Sequence, residues 1–189
     1  LIGLLFHLFI TLPCIFYFTT KISPIVHYKA MSKAMLTAFS TSSSSATLPV
    51  TMQCVKENVG VSKSTSSFVL PLGATVNMDG TALYECAGVL FISQVLGIDL
   101  TIYQQLTVVF TALLASIGAA GIPSAGLVMI FIVLQSVGLS DHPQVGIIVG
   151  TMLAVDRPLD MLRTMINVTS DSIGAAIIGK SEGDRLYED

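Results

Sequence analysis

Asp156, Asp160, Arg163, Asn167 and Asp171 follow one another at steps of four, three, four and four near the end of the chain. At about 100° per residue these steps hold all five within roughly an 80° arc of one helix face. The run before them, Val145-Gly-Ile-Ile-Val-Gly-Thr-Met-Leu-Ala-Val155, is almost entirely apolar. Ionisable side chains in a membrane-length helix are costly, and persist where they face a partner, a ligand or water. The stripe therefore requires the rest of the chain to build a polar interior around it.

Composition identifies the surroundings. Hydrophobic residues make up 52% of the chain and charged residues 11%, with a mean hydropathy of +0.79, whereas about a quarter of a soluble domain is charged. The class is a polytopic membrane protein, with the lipid bilayer as partner. A net charge of −3 with no basic patch excludes nucleic acid. Leu1 opens inside an apolar run with neither a basic leader nor an initiator Met. The expectation is no signal peptide, and a piece of a longer protein whose N-terminal part is missing. Cys14, Cys54 and Cys86, odd in number and set in apolar or helical stretches, read as packed thiols.

In order, residues 1–20 are apolar enough to span a bilayer, with His7 as a helix-contact residue. Residues 22–60 place Ser40-Thr-Ser-Ser-Ser-Ser-Ala-Thr-Leu-Pro49 between two apolar flanks of about 10–15 residues, each half a span. Helix, polar tip, helix at that length reads as a re-entrant hairpin; non-helical backbone at that depth must be buried or line a cavity. Residues 64–96 form a spanning helix broken at Val76-Asn-Met-Asp-Gly80. Turn chemistry there exposes carbonyls beside Asn77 and Asp79, oxygen donors suited to a hard cation such as sodium. Residues 101–138 give a second hairpin, with its tip at Gly118-Ala-Ala-Gly-Ile-Pro-Ser-Ala-Gly126. The final helix spans 143–179, and the acidic tail 180–189 reads as exposed and poorly ordered.

The order repeats itself: a hairpin, then a helix bearing Asn and Asp, namely Asn77 and Asp79, then Asn167 and Asp171. Interrupted segments at corresponding positions of two halves point to a transporter's binding site. Residues 97–155 hold no Lys or Arg, whereas Lys21, Lys29, Lys33, Lys56 and Lys63 flank the first hairpin and Lys180 and Arg185 follow the last helix. The first hairpin then enters from the cytoplasm, the second from outside, and the C-terminus is cytoplasmic. The expected fold is all-α and polytopic, an inverted repeat of two oppositely oriented re-entrant hairpins with broken and full transmembrane helices.

Four motifs, Ser42-Ser-Ser-Ser-Ala-Thr-Leu-Pro49, Pro71-Leu-Gly-Ala-Thr-Val-Asn-Met-Asp-Gly-Thr81, Ser116-Ile-Gly-Ala-Ala-Gly-Ile-Pro123 and Asp160-Met-Leu-Arg-Thr-Met-Ile-Asn-Val-Thr-Ser-Asp171, closely resemble those of the glutamate transporter family of sodium-coupled dicarboxylate and amino acid symporters. The resemblance runs through essentially the whole chain and covers the C-terminal transport portion, residues 1–180. It implies a plasma (inner) membrane location and a homotrimer held by a scaffold outside this chain.

Motif by motif, the resemblance implies that Ser44 and the backbone around Gly121 and Ile122 hold the substrate α-carboxylate, assisted by Asn167. Asp160 would receive the α-ammonium and Arg163 the side-chain carboxylate, with Thr81 and Thr164 nearby; Ser42, Ser43 and Pro123 complete the candidate set. The chemistry agrees, because a guanidinium can bind a carboxylate through two N–H groups and Asp160 and Arg163, three residues apart, share a face. For co-transported sodium it implies one site from Gly73, Asn77, Asn167 and Asp171. A second comes from Thr75, Met78 and the carbonyls of Ser116, Ile117 and Ala119, and a third includes Asn77 and Asp79.

Two arginine positions depart from the family. Archaeal members carry Arg just before the hairpin serines, where this chain has Ser42, and animal members carry it after the Asp160 position, where this chain has Met161. Arg157, one turn before Met161, is the candidate substitute. Glu85 matches the proton-carrying glutamate of animal members, which makes proton co-transport a hypothesis. The function so implied is uptake of an acidic amino acid, aspartate or glutamate, coupled to sodium. The same scaffold carrying neutral amino acids or C4-dicarboxylates is the alternative; Arg163 argues against the former and Asp160 against the latter. A channel is the second alternative, although a pore needs no amine-pairing Asp. The serines have no His or Lys partner at a hydrolase spacing, so no enzyme is expected.

Overall fold

The computed structural model describes residues 1–119 and 121–187. All regular structure among them is helical. Helix α1 covers Ile2–Thr20, the one described helix long and apolar enough to cross a membrane by length and composition. Its turn His7–Thr11 is widened to a π turn just ahead of Pro13, whose ring nitrogen cannot donate to the preceding turn. Helix α2 runs Pro24–Thr41. Helix α3 covers Ser44–Cys54 and continues through a π turn at Val55–Val59. Helices α4, Lys63–Val76, and α5, Asp79–Val95, are the two arms of the broken segment. Helices α6, Ile102–Ile117, and α7, Ala125–Ser136, form a second antiparallel pair. Helix α8, Val145–Ser181, runs 37 residues as the spine.

Helix α8 joins two apolar cores. Its first half packs Val145 and Val149 with α5, α6 and α7, around Ile92, Ile130 and Leu134. Its second half packs Leu162, Ile166, Val168 and Ile173 with α1 to α4, around Phe16, Met31 and Leu70. Leu159 touches both clusters. The two loops of the hairpin pairs meet where the cores meet: Ser43 Oγ donates to the Gly121 carbonyl at 2.6 Å, and Ser45 N–H reaches the same oxygen at 3.3 Å.

Three sequence expectations are corrected. The hydroxyl-rich tip of the first hairpin is far shorter than 40–49, because only Ser42 and Ser43 fall outside helices. Ser43 caps α3 by accepting from Ala46 N–H at 3.1 Å, and Thr47 bonds back to the Ser43 carbonyl. The hydroxyls thus extend the helices inward. Its arms are correspondingly longer than 10–15 residues, with 18 in α2. The tail is also ordered as far as it is described. Asp184 N–H bonds to the Gly179 carbonyl at 2.9 Å and Tyr187 N–H to the Val59 carbonyl at 2.8 Å, while Leu186 packs against the second core. Of the residues quoted above, Ala120 in the second tip and Glu188 and Asp189 in the tail lie outside the described residues.

Candidate functional site

All five residues of the stripe are buried, with Asp156 and Arg163 each 1% exposed. In its first half the helix neutralises itself. Arg163 donates to both oxygens of Asp156, at 2.9 and 3.2 Å, and to Asp160 Oδ1 at 2.9 Å. Its guanidinium lies 3.8 Å over the centre of the Tyr84 ring, a buried cation–π contact. Asp160 Oδ2 turns the other way and accepts from Ser124 N–H at 3.0 Å. Ser124, at φ 62°, is the left-handed residue that starts α7. Arg157 is half exposed and reaches Asp160 Oδ2 only at 4.0 Å.

Ser42 and Ser44 from the first loop, Gly121 and Ile122 from the second, Thr81 from α5, and Asp160, Thr164 and Asn167 from α8 line one small cavity, together with Met78, Ala125 and Gly126. Its volume is about 20 Å³, room for roughly one water, so a bound amino acid requires the loops to part. Gly121 allows the loops to close, since a Cβ there would lie 2.7 Å from Ser45 Oγ. Ser43, Pro123 and Arg163 do not line the cavity. Arg163 stands behind Asp160 on the Asp156 side, an arrangement that sequence spacing left open.

Beyond Asn167 the stripe is satisfied by other elements. Asn167 Oδ1 accepts from Gly80 N–H at 2.9 Å and its amide donates to Thr81 Oγ1 at 3.1 Å, tying α8 to the restart of the broken helix. Asn77 donates to Asp171 Oδ1 and to Ser170 Oγ, both at 2.9 Å. Ser170 Oγ donates to Asp79 Oδ1 at 2.9 Å, and Asp79 Oδ2 lies 2.7 Å from His7 Nε2. Gly73 abuts the same group, where a Cβ would stand 2.5 Å from Asp171 Oδ1. Gly73, Asn77, Asn167, Asp79 and Asp171 are thus brought into one oxygen-rich cluster, the donor set a hard cation needs. It borders a cavity of about 460 Å³ between α1, α4 and α8.

Helices α4 and α6, which carry Thr75 and Ser116–Ile117, touch each other, but no described hydrogen bond joins Thr75 or Met78 to Ser116, Ile117 or Ala119. Met78 lines the small cavity, Thr75 Oγ1 bonds within α4, and the Ser116 carbonyl accepts from Ala119 N–H at 3.1 Å. The nearest link is Gly121, whose Cβ position lies 3.0 Å from the Ala74 carbonyl. Glu85 is fully buried and neither carboxyl oxygen has a hydrogen-bond partner among the described residues. Its Oε1 sits 3.9 Å from where a Cβ on Gly126 would be, behind the start of α7.

Sequence reasoning placed the stripe but gave Asp156 no role, and missed Tyr84, Ser124 and Ser170. Only Ser170 carried a signal, as the neighbour of Asp171. His7 is a helix contact, as read, but through a carboxylate.

The chain matches the family described as "Sodium:dicarboxylate symporter family" over residues 1–181. It is 51% identical over 176 residues to an excitatory amino acid transporter of Caenorhabditis elegans, covering 93% of this chain and 34% of that one. Excitatory amino acid transporter 1 of Homo sapiens is 50% identical over 178 residues, 94% of this chain and 32% of that one. An excitatory amino acid transporter of Onchocerca volvulus is 49% identical over 176 residues, 93% and 35% of the two chains. The chain spans about a third of the length of these relatives.

Proposed function

The chain belongs to the sodium:dicarboxylate symporter family, and from that premise we propose that it is the substrate- and ion-binding portion of a transporter that imports an acidic amino acid with sodium by alternating access. The observation that carries the reading is the meeting of the two loops over Asp160 and Arg163, beside the Asn77–Asp171 cluster.

In this reading the pairs α2–α3 and α6–α7 are re-entrant hairpins entering a plasma (inner) membrane from the cytoplasm and from outside, as an inverted repeat. The C-terminus is cytoplasmic, and the trimer scaffold lies in the remainder of the protein. Parting of the loops breaks Ser43–Gly121, a bond between neutral groups, and Ser124–Asp160, the stronger of the two because its acceptor is a carboxylate. The incoming ammonium takes Asp160 from Ser124, and Arg163, released from Asp160, offers N–H groups to the substrate's side-chain carboxylate. Ser42, Ser43 and Ser44 with the Gly121–Pro123 backbone receive the α-carboxylate, and Thr81, Thr164 and Asn167 complete the enclosure. Binding and gate opening then share one carboxylate. Closing the loops again seals the ligand from water, which alternating access needs.

Sodium is cargo in this scheme. Gly73, Asn77, Asn167 and Asp171 hold one ion, and Asn77 with Asp79 contribute to another. Thr75, Met78, Ser116, Ile117 and Ala119 would form a further site when the second loop moves. Glu85 is the proton carrier: a buried, unpartnered carboxyl behind α7 can take up and lose a proton as that helix moves. Glu85→Gln should abolish the pH dependence of uptake, and unchanged pH dependence removes Glu85 from this role.

A neutral amino acid is the second reading, favoured by one observation: Asp156 already occupies two N–H groups of Arg163. Competition of labelled aspartate uptake by glutamate, serine and succinate, with and without sodium, separates the readings in the full-length protein. Glutamate competing alone, and only with sodium, supports the acidic substrate. Serine competing equally supports the neutral one, and succinate competing equally removes the role of Asp160.

A further inference from the structure

The segment after α8 folds back and is anchored at both ends. Asp184 carboxylate accepts from Ser62 N–H at 2.8 Å, at the cap of α4. Tyr187 N–H bonds to the Val59 carbonyl at 2.8 Å, at the end of α3. Two glycines make room. Gly60, at φ +88°, would place a Cβ 2.7 Å from the Arg185 carbonyl, and Gly179 would place one 2.7 Å from Asp184 Oδ2. Gly60 is also the left-handed cap that ends α3, so one backbone turn both closes that helix and seats the tail.

The strap delivers Tyr187 to His27, which is fully buried and stacked on Phe16 with ring centroids 4.8 Å apart. His27 Nδ1 lies 2.5 Å from the Tyr187 hydroxyl and Nε2 lies 2.9 Å from Ser172 Oγ. Ser172 donates its own proton to the Thr169 carbonyl at 2.7 Å, so it can only accept from His27. The proton of His27 is therefore assigned to Nε2, and Nδ1 must accept from Tyr187. The relay has one polarity: Tyr187 to His27 to Ser172 to the backbone of α8. It ends one residue past Asp171, where a fixed hydrogen bond sets the rotation of the helix about its axis.

We propose that the C-terminal strap, residues 182–187, is a positioning element for the ion-binding end of α8, acting through Tyr187, His27 and Ser172. This rests on the reading of Asp171 as a sodium ligand. The strap also grips the foot of α4, which carries Gly73 and Asn77 at its other end. It thereby couples the two helices that face each other across the ion cluster.

The test uses the full-length protein in proteoliposomes, with Tyr187→Phe, Ser172→Ala, the double variant and Asp184→Asn. Two quantities are read: the sodium concentration for half-maximal uptake, and amide hydrogen exchange over residues 168–176. Tyr187→Phe and Ser172→Ala should each raise half-maximal sodium roughly tenfold, the lower range for groups that orient a metal ligand. Substrate half-saturation at saturating sodium should not move, which general loosening of the fold would not spare. The double variant should be no worse than either single, because both break one relay, and Asp184→Asn should shift sodium in the same direction. Exchange over 168–176 should accelerate in all four.

Tyr187→Phe with sodium dependence and exchange both at wild-type values overturns the proposal, as does additivity in the double variant. A wild-type protein indifferent to sodium refutes the ion reading instead. Exchange then decides alone: acceleration in Tyr187→Phe upholds the strap as a positioner of α8, and none overturns it.

Discussion

The two halves of the polar stripe on α8 solve the same problem in opposite ways. From Asp156 to Arg163 the charges neutralise one another within a single helix, through three hydrogen bonds that pair Arg163 with Asp156 and with Asp160 under the Tyr84 ring. From Asn167 to Ser172 the polar groups are satisfied from elsewhere: Gly80 and Thr81 of α5, Asn77 at the break, and His27 of α2. The first end draws mainly on groups of its own helix, whereas the second depends on where α2, α5 and the break at Asn77 stand. Arg157, half exposed, is a second cation at the first end, 4.0 Å from Asp160.

Arg163→Ala breaks this comparison most severely. It leaves Asp156 and Asp160 buried without their cation, and removing one partner of a buried pair costs about 3–5 kcal/mol. Uptake of labelled aspartate should vanish and the midpoint of thermal unfolding should fall. Retained acidic selectivity would mean that the self-neutralised end does not read the substrate. Gly73→Ala tests the other end. Its methyl would stand 2.5 Å from Asp171 Oδ1, so either the carboxylate or α4 moves, at roughly 1–3 kcal/mol for overpacking. Half-maximal sodium should rise while substrate half-saturation at saturating sodium stays put; the reverse pattern would erase the division between the ends. Ser43→Ala has the smallest effect. It removes one bond between the loops and the side-chain cap of α3, each worth about 1 kcal/mol, so uptake should fall moderately with sodium dependence unaltered.

Periodicity alone placed all five stripe residues on one buried face, because a helix repeats at a fixed angle whatever surrounds it. The break at Asn77 and the two loops were legible for a related reason: turn residues inside apolar runs have few conformations open to them. The extent of the loops was not. Ser40, Thr41 and the residues from Ser44 onward read in one dimension as part of a non-helical tip, yet Ser40, Thr41 and Thr47 bond to the preceding turn and Ser43 caps the next helix once both arms are packed.

The sequence by itself determined a helical, membrane-suited chain with a polar face, two interrupted hairpins and the oxygen donors for a cation, since each of these depends on neighbours within a turn or two. Only the tertiary structure decided the partners. Asp156 meets Arg163 and Ser124 meets Asp160 because α5 and α7 pack against α8 and bury these groups. Tyr187 reaches His27, 160 residues away along the chain, because two glycines let the tail fold under α8. Distance along a chain carries no information about such meetings, and burial decides which of them a polar group is forced to make.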